Sequence, residues 1–404
     1  MKIITADFIY TPQGYLKDHA IAFTDTIEAI DTLQTLQNRY PKVSVITTPP
    51  HTIIYPGFIN THVHLEFSAN KTSLEFGSFQ PWLDSVITHR DSLMAECNNE
   101  MMLQECENMM RSGITTFGAI SSFGNELEVC EKTPQRVVFF NELIGSNAAT
   151  ADILYNDFQE RLRASQSCDP SSKITPAIAI HAPYSVHPIL VQRAVQLAKK
   201  HQLPLSAHFL ESQAEREWLE SNEGSFKTFF LKYFNTSRCV TTIQEFIHAF
   251  DTYPTHFTHC VQATEEELRH LAHYGHSIAH CPRSNRYLGC GRLAIESLEL
   301  PFSVATDGLS SNDSLNLFDE LRAALMMHHA MPLQTLAATL IEAITHNGAK
   351  ILGLNGGILA QNKDADFALV TLPQAPVREE ELSLWTILHT KEVTQLYIAG
   401  EQYV

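Results

Sequence analysis

The stretch IIYPGFINTHVHLE, residues 53–66, decides the fold. It is an apolar run that closes on two histidines spaced two positions apart. Seven more short apolar runs follow along the chain, and each of them also closes on a polar residue. The eight runs are candidate strands, and they span residues 53–64, 114–121, 136–144, 174–183, 203–211, 255–260, 276–282 and 301–308.

Amphipathic stretches separate these runs, and the clearest cover residues 99–111, 188–201, 265–274 and 315–329. Strands that alternate with helices indicate parallel βαβ units. Eight units in a row predict an α/β fold of the (β/α)₈, TIM-like barrel type. In such a barrel the functional side chains lie at the carboxyl ends of the strands.

The two ends of the chain have a different pattern, because both read as short strands and turns. Residues 1–52 and 355–404 are therefore predicted to pair into one small composite β-sandwich. The barrel is expected to occupy residues 53–354, and the sandwich would bury the termini and brace the barrel.

Composition limits the classes of function. The chain has 404 residues, and 28 Lys and Arg against 45 Asp and Glu give a formal net charge of −17. An acidic surface argues against nucleic-acid partners and against binding to an anionic membrane, which leaves a small molecule as the expected substrate. The eight cysteines are scattered and no apolar run has transmembrane length, so we expect a cytoplasmic protein.

Candidate metal ligands close three of the eight runs. His62 and His64 are two positions apart, so in a strand both side chains project to one face. His208 ends the fifth run, and Asp307 ends the eighth. Three neutral imidazoles and one carboxylate suit zinc or ferrous iron and leave a position for water. We predict one divalent metal ion, Zn or Fe, that lowers the pKa of a bound water from about 15.7 toward 7.

Glu211 and His259 are the candidate catalytic side chains. Glu211 follows His208 by three residues, so its carboxylate would lie near the ion without being a ligand, and a proton shuttle is its expected role. His259 closes the sixth run and could hold the attacking water or stabilise charge on the intermediate. His280, in the seventh run, is expected to support the site from behind the ligands. Each residue alone could equally be a packed histidine or a solvent-facing glutamate.

A second metal ion is not expected. His181 ends the fourth run, and no lysine lies beside it at that end. A modified lysine at this position usually bridges the two ions of a two-metal barrel. The nearest lysine, Lys173, precedes the run and would lie at the opposite end of the barrel.

Several motifs occur in the order found in one family: NTHVH, HFLE, THC, AHCPRSN and ATDGLSSNDSLNLFDELR, with GGILAQNKDADFALV near the end. They resemble the amidohydrolase superfamily, and within it the branch that deaminates adenosine, S-adenosylhomocysteine or methylthioadenosine. The resemblance implies the same four metal ligands, with Glu211 and His259 catalytic and Asp307 also able to accept a proton. Members of this branch commonly form dimers, so a homodimer is implied.

The resemblance also implies substrate contacts. His181 matches a histidine that contacts the purine ring, Trp82 lies in a segment that covers the substrate, and Glu66 is a further candidate for substrate binding. The stretches HVHLEFSANK and FGSFQPWLDSVITHR resemble the members that act on aminodeoxyfutalosine in an alternative route to menaquinone. That substrate is an adenosine whose 5′ end carries a carboxyphenyl ketone arm. Trp82 and Phe79 could offer it an apolar surface, and His89 or Arg90 a donor for the carboxylate.

Other functions stay open at this stage. NELIGSNAATADILYNDF, residues 141–158, lacks the arginine expected where S-adenosylhomocysteine deaminases hold the amino-acid tail, which favours a different 5′ group. Deamination of S-adenosylhomocysteine, methylthioadenosine, adenosine or guanine, or a triazine-type reaction, would use the same metal site. A barrel that binds its ligand without turnover would lack one of the ligands or Glu211, and all of them are present.

Overall fold

The computed structural model describes residues 1–404. The strands are Lys2–Thr5, Phe8–Thr11, Gly14–Lys17, His19–Phe23, Ile27–Thr32, Val45–Ile46, Thr52–Pro56, Phe58–Val63, Ile114–Ser121, Arg136–Leu143, Ile174–Ile180, Leu205–Phe209, His256–His259, Ser277–His280, Phe302–Val304, Phe367–Thr371, Gln395–Ile398 and Glu401–Gln402. The α-helices are Leu33–Arg39, Phe79–Glu96, Asn99–Arg111, Leu127–Lys132, Ala151–Gln166, Pro188–His201, Gln213–Ser221, Ser225–Phe234, Ile243–His248, Glu265–His273, Pro282–Tyr287, Leu317–Met327, Leu333–Glu342, Gly348–Leu352 and Leu382–His389.

Eight strands form one sheet in which the hydrogen-bonded order follows the chain order, from Phe58–Val63 to Phe302–Val304. The pairings from the third strand to the eighth are parallel. Helices connect successive strands, as a barrel of βα units requires. The predicted TIM-like fold is confirmed, and all eight candidate strands are present.

The ends of the sheet meet through the first and last barrel strands. The backbone N–H of Asp307 donates to the carbonyl of His62 at 3.1 Å. Below that contact, the hydroxyl oxygens of Thr61 and Ser303 lie 2.6 Å apart. A Cβ on Gly308 would lie 2.7 Å from the Cβ of His64, so only glycine permits this close approach. The closure therefore brings the ends of the first and eighth strands side by side.

The first candidate strand, residues 53–64, is two strands in the structure. Thr52–Pro56 pairs with Phe367–Thr371 in a separate sheet, whereas Phe58–Val63 opens the barrel. Gly57 separates them, and a Cβ at this position would lie 2.1 Å from Oγ1 of Thr115. The change of sheet thus occurs at a residue whose lack of a side chain allows two strands to approach.

Local sequence explains where the barrel helices begin. The helix Glu265–His273 starts with a capping box, in which the Thr264 side chain accepts from the backbone N–H of Glu267 and the Glu267 carboxylate accepts from that of Thr264. The helix Pro188–His201 has proline in its first turn and buries one apolar face that includes Leu190, Ala194 and Ala198.

Both ends of the chain contribute to two further sheets. A six-stranded sheet runs in the order 401–402, 395–398, 367–371, 52–56, 8–11 and 14–17, and a four-stranded sheet in the order 27–32, 19–23, 2–5 and 45–46. Residues of both sheets share one core. In it the ring of Phe23 lies edge-on to Phe367 at 5.0 Å and to Tyr397 at 5.6 Å. Edge-to-face pairs of this kind stabilise by about 0.5–1.5 kcal/mol beyond the area they bury.

The residues group into two compact units. One comprises Met1–Asn60, Cys106–Phe117 and Asn316–Val404, and the other comprises Thr61–Glu105 and Gly118–Leu315. The domain boundaries derived from sequence, 1–52 with 355–404 and 53–354, stay a prediction. None of the helices combines the length and the apolar composition that crossing a membrane requires.

Candidate active site

Three histidines and one aspartate converge at the carboxyl end of the barrel. The Nε2 atom of His62 lies 3.6 Å from Oδ1 of Asp307, and Nε2 of His64 lies 3.7 Å from the same oxygen. The Nε2 atoms of His62 and His208 lie 3.2 Å apart. The structure therefore brings together the four residues that the sequence nominates as metal ligands.

Hydrogen bonds on the far side of the rings aim these nitrogens inward. Nδ1 of His208 lies 2.6 Å from the carbonyl oxygen of His181, so it must carry the proton that it donates. Nδ1 of His62 lies 3.2 Å from the hydroxyl of Thr258. The Nε2 atom of His208 is therefore left with a lone pair that faces the cluster. Bonds of this kind orient the rings of metal-binding histidines in general.

The electrostatics of the cluster suit a cation. Burial lowers the pKa of His62, and burial with the neighbouring histidines lowers the pKa of His208 well below its usual value, so both rings favour the neutral form that metal binding requires. Burial disfavours the charged form of His64 as well. Its hydrogen bond with Glu66 and the charges of Asp307 and Glu142 outweigh this effect and raise its pKa to about 9. The surrounding carboxylates thus favour positive charge at the centre of the cluster.

Asp307 is held as a carboxylate by several donors. Its Oδ2 accepts from the hydroxyls of Ser284 at 2.7 Å and Ser311 at 2.8 Å, and its Oδ1 accepts from the backbone N–H of Gly308 at 2.9 Å. Burial alone would raise its pKa, but the hydrogen bond with His62 and the nearby histidine charges lower it well below the usual range. Asp307 is therefore ionised at neutral pH.

Glu211 has the opposite character, although it is also a buried carboxyl group. Burial, then the negative charges of Asp307 and Glu215, raise its pKa well above the usual value. Glu215 fixes the backbone here, because its carboxylate accepts from the N–H groups of Leu210 at 3.2 Å and Glu211 at 2.8 Å. The two neighbouring carboxyl groups thus have pKa values shifted in opposite directions, an arrangement typical of acid–base pairs.

His259 reaches the site through an unusual backbone conformation. His259 is in register with Phe209, whose ring centroid lies 5.6 Å from that of Phe257. Because side chains alternate between the two faces of a strand, His259 would be expected to point to the same face of the sheet as Phe209. Its φ of 72° turns the side chain into the cavity instead. There Nδ1 lies 2.8 Å from Oδ1 of Asn285, and Nε2 lies 3.6 Å from Oε1 of Glu211. Strained backbone of this kind is concentrated at functional sites.

His280 is not brought to the cavity. It is fully buried at the end of the seventh barrel strand and does not line the site. Ala279 is in register with Thr258, whose hydroxyl contacts His62, so the side chains of Ala279 and Thr258 are on the same face of the sheet. His280, the next residue, therefore points to the other face. The predicted supporting role of His280 stays a prediction.

The three candidate substrate-binding residues line a cavity of about 320 Å³ that opens from the cluster. His181 is fixed by its Nδ1, which lies 2.6 Å from the hydroxyl of Ser185. The indole N–H of Trp82 donates to the carbonyl of Ser310 at 2.7 Å. Glu66 accepts from the hydroxyl of Ser122 at 2.7 Å. All three lie where a small molecule would meet them.

Sequence reasoning missed several residues of the site. Glu142 ends the third barrel strand, is fully buried, and has an oxygen 3.7 Å from Nδ1 of His208. The hydroxyl oxygen of Ser122, at the end of the second strand, lies within hydrogen-bond distance of both Glu66 and Glu142, at 2.7 and 2.8 Å. The rule that strand ends carry function, applied to every strand, would have found both residues. Asn285 could be found only from the contact itself.

Comparisons with known proteins identify the family of the chain. The sequence model of the amidohydrolase family matches residues 53–403. An aminodeoxyfutalosine deaminase of Nitratiruptor sp. is 45% identical over 405 residues, which covers 100% of both chains. The crystal structure of Helicobacter pylori aminofutalosine deaminase in complex with methylthio-coformycin superposes with a TM-score of 0.94 at 33% identity, again over 100% of both chains.

A more distant solved structure shares the fold. An adenosine deaminase from Xanthomonas campestris with bound zinc matches with a TM-score of 0.78 at 22% identity, over 99% of this chain and 92% of the other. This likeness concerns the fold alone.

The family match and the two full-length relatives confirm the resemblance that the sequence motifs indicated.

Proposed function

The chain belongs to the amidohydrolase family, and on that premise we propose that it deaminates a 5′-substituted adenine nucleoside, aminodeoxyfutalosine, with release of ammonia. The observation that carries the proposal is the position of Glu211, a buried carboxyl group with a raised pKa, beside the cluster of histidines and Asp307 that lines a cavity. A protonated acid next to a cation-binding cluster suits the hydrolysis of a C–N bond on an electron-poor ring.

The donor set fits one divalent metal ion, zinc or ferrous iron. His62, His64 and Asp307 offer ligand atoms within 4.8 Å of one another, as do His62, His208 and His259. We assign His62, His64, His208 and Asp307 as the ligands, because three imidazoles and a carboxylate leave a position open; His64, whose pKa is raised to about 9, would give up its proton to bind the ion. When bound, the ion supplies the Lewis acidity that makes water a nucleophile at neutral pH.

The side chains of the protein transfer the protons and bind the purine base. Glu211 donates its proton to the ring nitrogen next to the carbon that carries the amino group. Asp307, which is ionised before the reaction, accepts a proton from the attacking water and passes it to the amino group. The C–N bond then breaks, ammonia leaves, and the proton of the new hydroxyl group returns to Glu211. His259, whose Nδ1 is tied to Asn285, directs Nε2 toward the same place and stabilises charge there. His181 contacts the purine, and Glu66 the remainder of the nucleoside.

The choice of substrate is supported by the full-length similarity to the Nitratiruptor enzyme and by the apolar outer part of the cavity. The test is ammonia release from a panel of adenosines that differ only at the 5′ position. We expect the specificity constant for aminodeoxyfutalosine to exceed those for adenosine, methylthioadenosine and S-adenosylhomocysteine by a large factor. An equal or better constant for any of these would refute the substrate and leave the deaminase chemistry standing.

A cytoplasmic location and a homodimer belong to the same proposal. Sedimentation at micromolar concentration tests the dimer. A single species with the mass of one chain, 45.4 kDa, would refute it.

A further inference from the structure

The outer wall of the cavity is apolar, in contrast to its polar inner end. Three large apolar side chains at its rim are exposed to solvent: Phe123 at 44%, Ile144 at 36% and Phe234 at 52%. Deeper in, Phe229 and Phe230 are buried and also line the cavity. An exposed apolar rim that continues into a cavity marks a surface that a ligand covers.

One helix, Phe79–Glu96, lines this wall from the inner end to the rim. Trp82, Val86 and Arg90 are four residues apart and thus share one face, which lines the cavity. Trp82 marks the inner end, because its indole donates to Ser310, three residues after Asp307. At 1.5 Å of rise per residue, Arg90 lies about 12 Å further along the helix.

Arg90 is the only lysine or arginine that lines the cavity, whereas four carboxyl groups line the inner part: Glu66, Glu142, Glu211 and Asp307. Its guanidinium lies over the ring of Phe123, 5.9 Å from the centroid. Its Nε donates to Asp91 at 3.0 Å, which leaves both Nη groups to a ligand. His89, the alternative donor suggested by the sequence, is exposed and does not line the cavity.

We propose that Arg90 and Phe123 form an anion-binding subsite that receives the carboxylate at the end of the substrate's aromatic arm. This inference rests on the proposed function and names the residue that sets its specificity. An anionic substrate approaching a chain of net charge −17 needs a local cation. The only lysine or arginine that lines the cavity lies at the rim, so the neutral purine occupies the inner end and the carboxylate stays at the rim. A guanidinium on an aromatic face also suits the stacking of a flat aryl group.

The experiment compares aminodeoxyfutalosine with its carboxamide, which has the same shape and no charge. For wild-type protein we expect kcat/KM to favour the carboxylate by roughly 10- to 100-fold, as for a charge-assisted hydrogen bond. In Arg90→Gln the ratio should fall to about 1, because the positive charge that distinguishes the two nucleosides is gone. Arg39→Gln is the matched control, because Arg39 also lies on an aromatic ring, that of Tyr40, and does not line the cavity.

Three results would overturn the assignment: a wild-type ratio near 1, an unchanged ratio in Arg90→Gln, or a ratio lost in His89→Gln instead. Each of these is compatible with a working deaminase, so failure of the subsite is distinct from failure of the function. If metal-loaded wild type releases no ammonia from either nucleoside, the proposed function fails. In that case the subsite is tested by binding alone. Dissociation constants of the two nucleosides are measured by calorimetry for wild type and the same variants, and the preference for the carboxylate should be present in wild type and lost in Arg90→Gln.

Discussion

Glu126 provides a test of the electrostatics around the cavity that depends on stability rather than on turnover. It is fully buried between the second barrel strand and the helix Leu127–Lys132, and neither of its carboxyl oxygens has a hydrogen-bond partner. Burial, reinforced by the negative charge of Glu66, raises its pKa from 4.5 to about 8. The folded protein therefore keeps a proton on Glu126 that the unfolded chain releases above pH 4.5.

The sign and the size of the effect follow from that difference. Between pH 4.5 and about 8 the folded state binds more protons than the unfolded state, so this group reduces stability as the pH rises through that interval. Each pH unit is equivalent to about 1.36 kcal/mol, so the loss between pH 5 and pH 7 is about 2–3 kcal/mol. Below pH 4.5 both states are protonated and above pH 8 both are ionised, so the contribution is flat outside the interval.

Glu126→Gln removes the titrating group and keeps the size of the side chain. We expect the free energy of unfolding of the variant, minus that of wild type, to increase by about 2–3 kcal/mol between pH 5 and pH 7. Urea unfolding followed by circular dichroism, with the metal concentration held constant, measures this difference. Glu131→Gln, at an exposed position of the same helix, is the control for the loss of one glutamate charge from this segment. A difference for Glu126→Gln that moves by less than about 0.5 kcal/mol, or in the opposite direction, would refute the buried neutral carboxyl.

Three further predictions concern the site. Replacing His208 by Ala should remove most of the bound metal and the activity, and elemental analysis that finds two ions per chain in fully active wild type would contradict the single-ion assignment. Glu211→Gln should lower kcat by about 10²–10⁴-fold with metal content unchanged, whereas Glu220→Gln, at an exposed position of the next helix, should have little effect; near-normal turnover of Glu211→Gln would exclude it as the acid. Trp82→Ala, which removes the ring and its hydrogen bond to Ser310, should lower kcat/KM for aminodeoxyfutalosine by roughly 10- to 200-fold, and an unchanged constant would place the arm elsewhere.

The sequence predicts the barrel well because its pattern is local and repeated. Each strand is a short apolar run that ends on a polar residue, and each run can be recognised without knowledge of the others. The spacing of His62 and His64 shows that they share a face, because side chains in a strand alternate with a period of two. The rule that function lies at the carboxyl ends of barrel strands then selects His208 and Asp307.

Features that depend on the backbone between elements could not be predicted in this way. The apolar run at 53–64 is continuous in sequence, and only the close approach of Gly57 to Thr115 reveals where it changes sheet. His259 follows the alternation of its strand up to its own residue, where a φ of 72° reverses the direction of its side chain. Such a conformation costs free energy locally and persists because surrounding contacts hold it, among them the one with Asn285.

The sequence by itself therefore determined the fold class and the four residues proposed to bind metal, because periodicity and strand ends are properties of single segments. Only the tertiary structure decided that Glu142 and Ser122 join the site, that His280 does not line it, and that Arg90 rather than His89 faces the cavity. These outcomes depend on which segments lie side by side and on the face of a helix that packing turns inward. Distances between residues far apart in the chain are set by the closed barrel, and no local pattern records them.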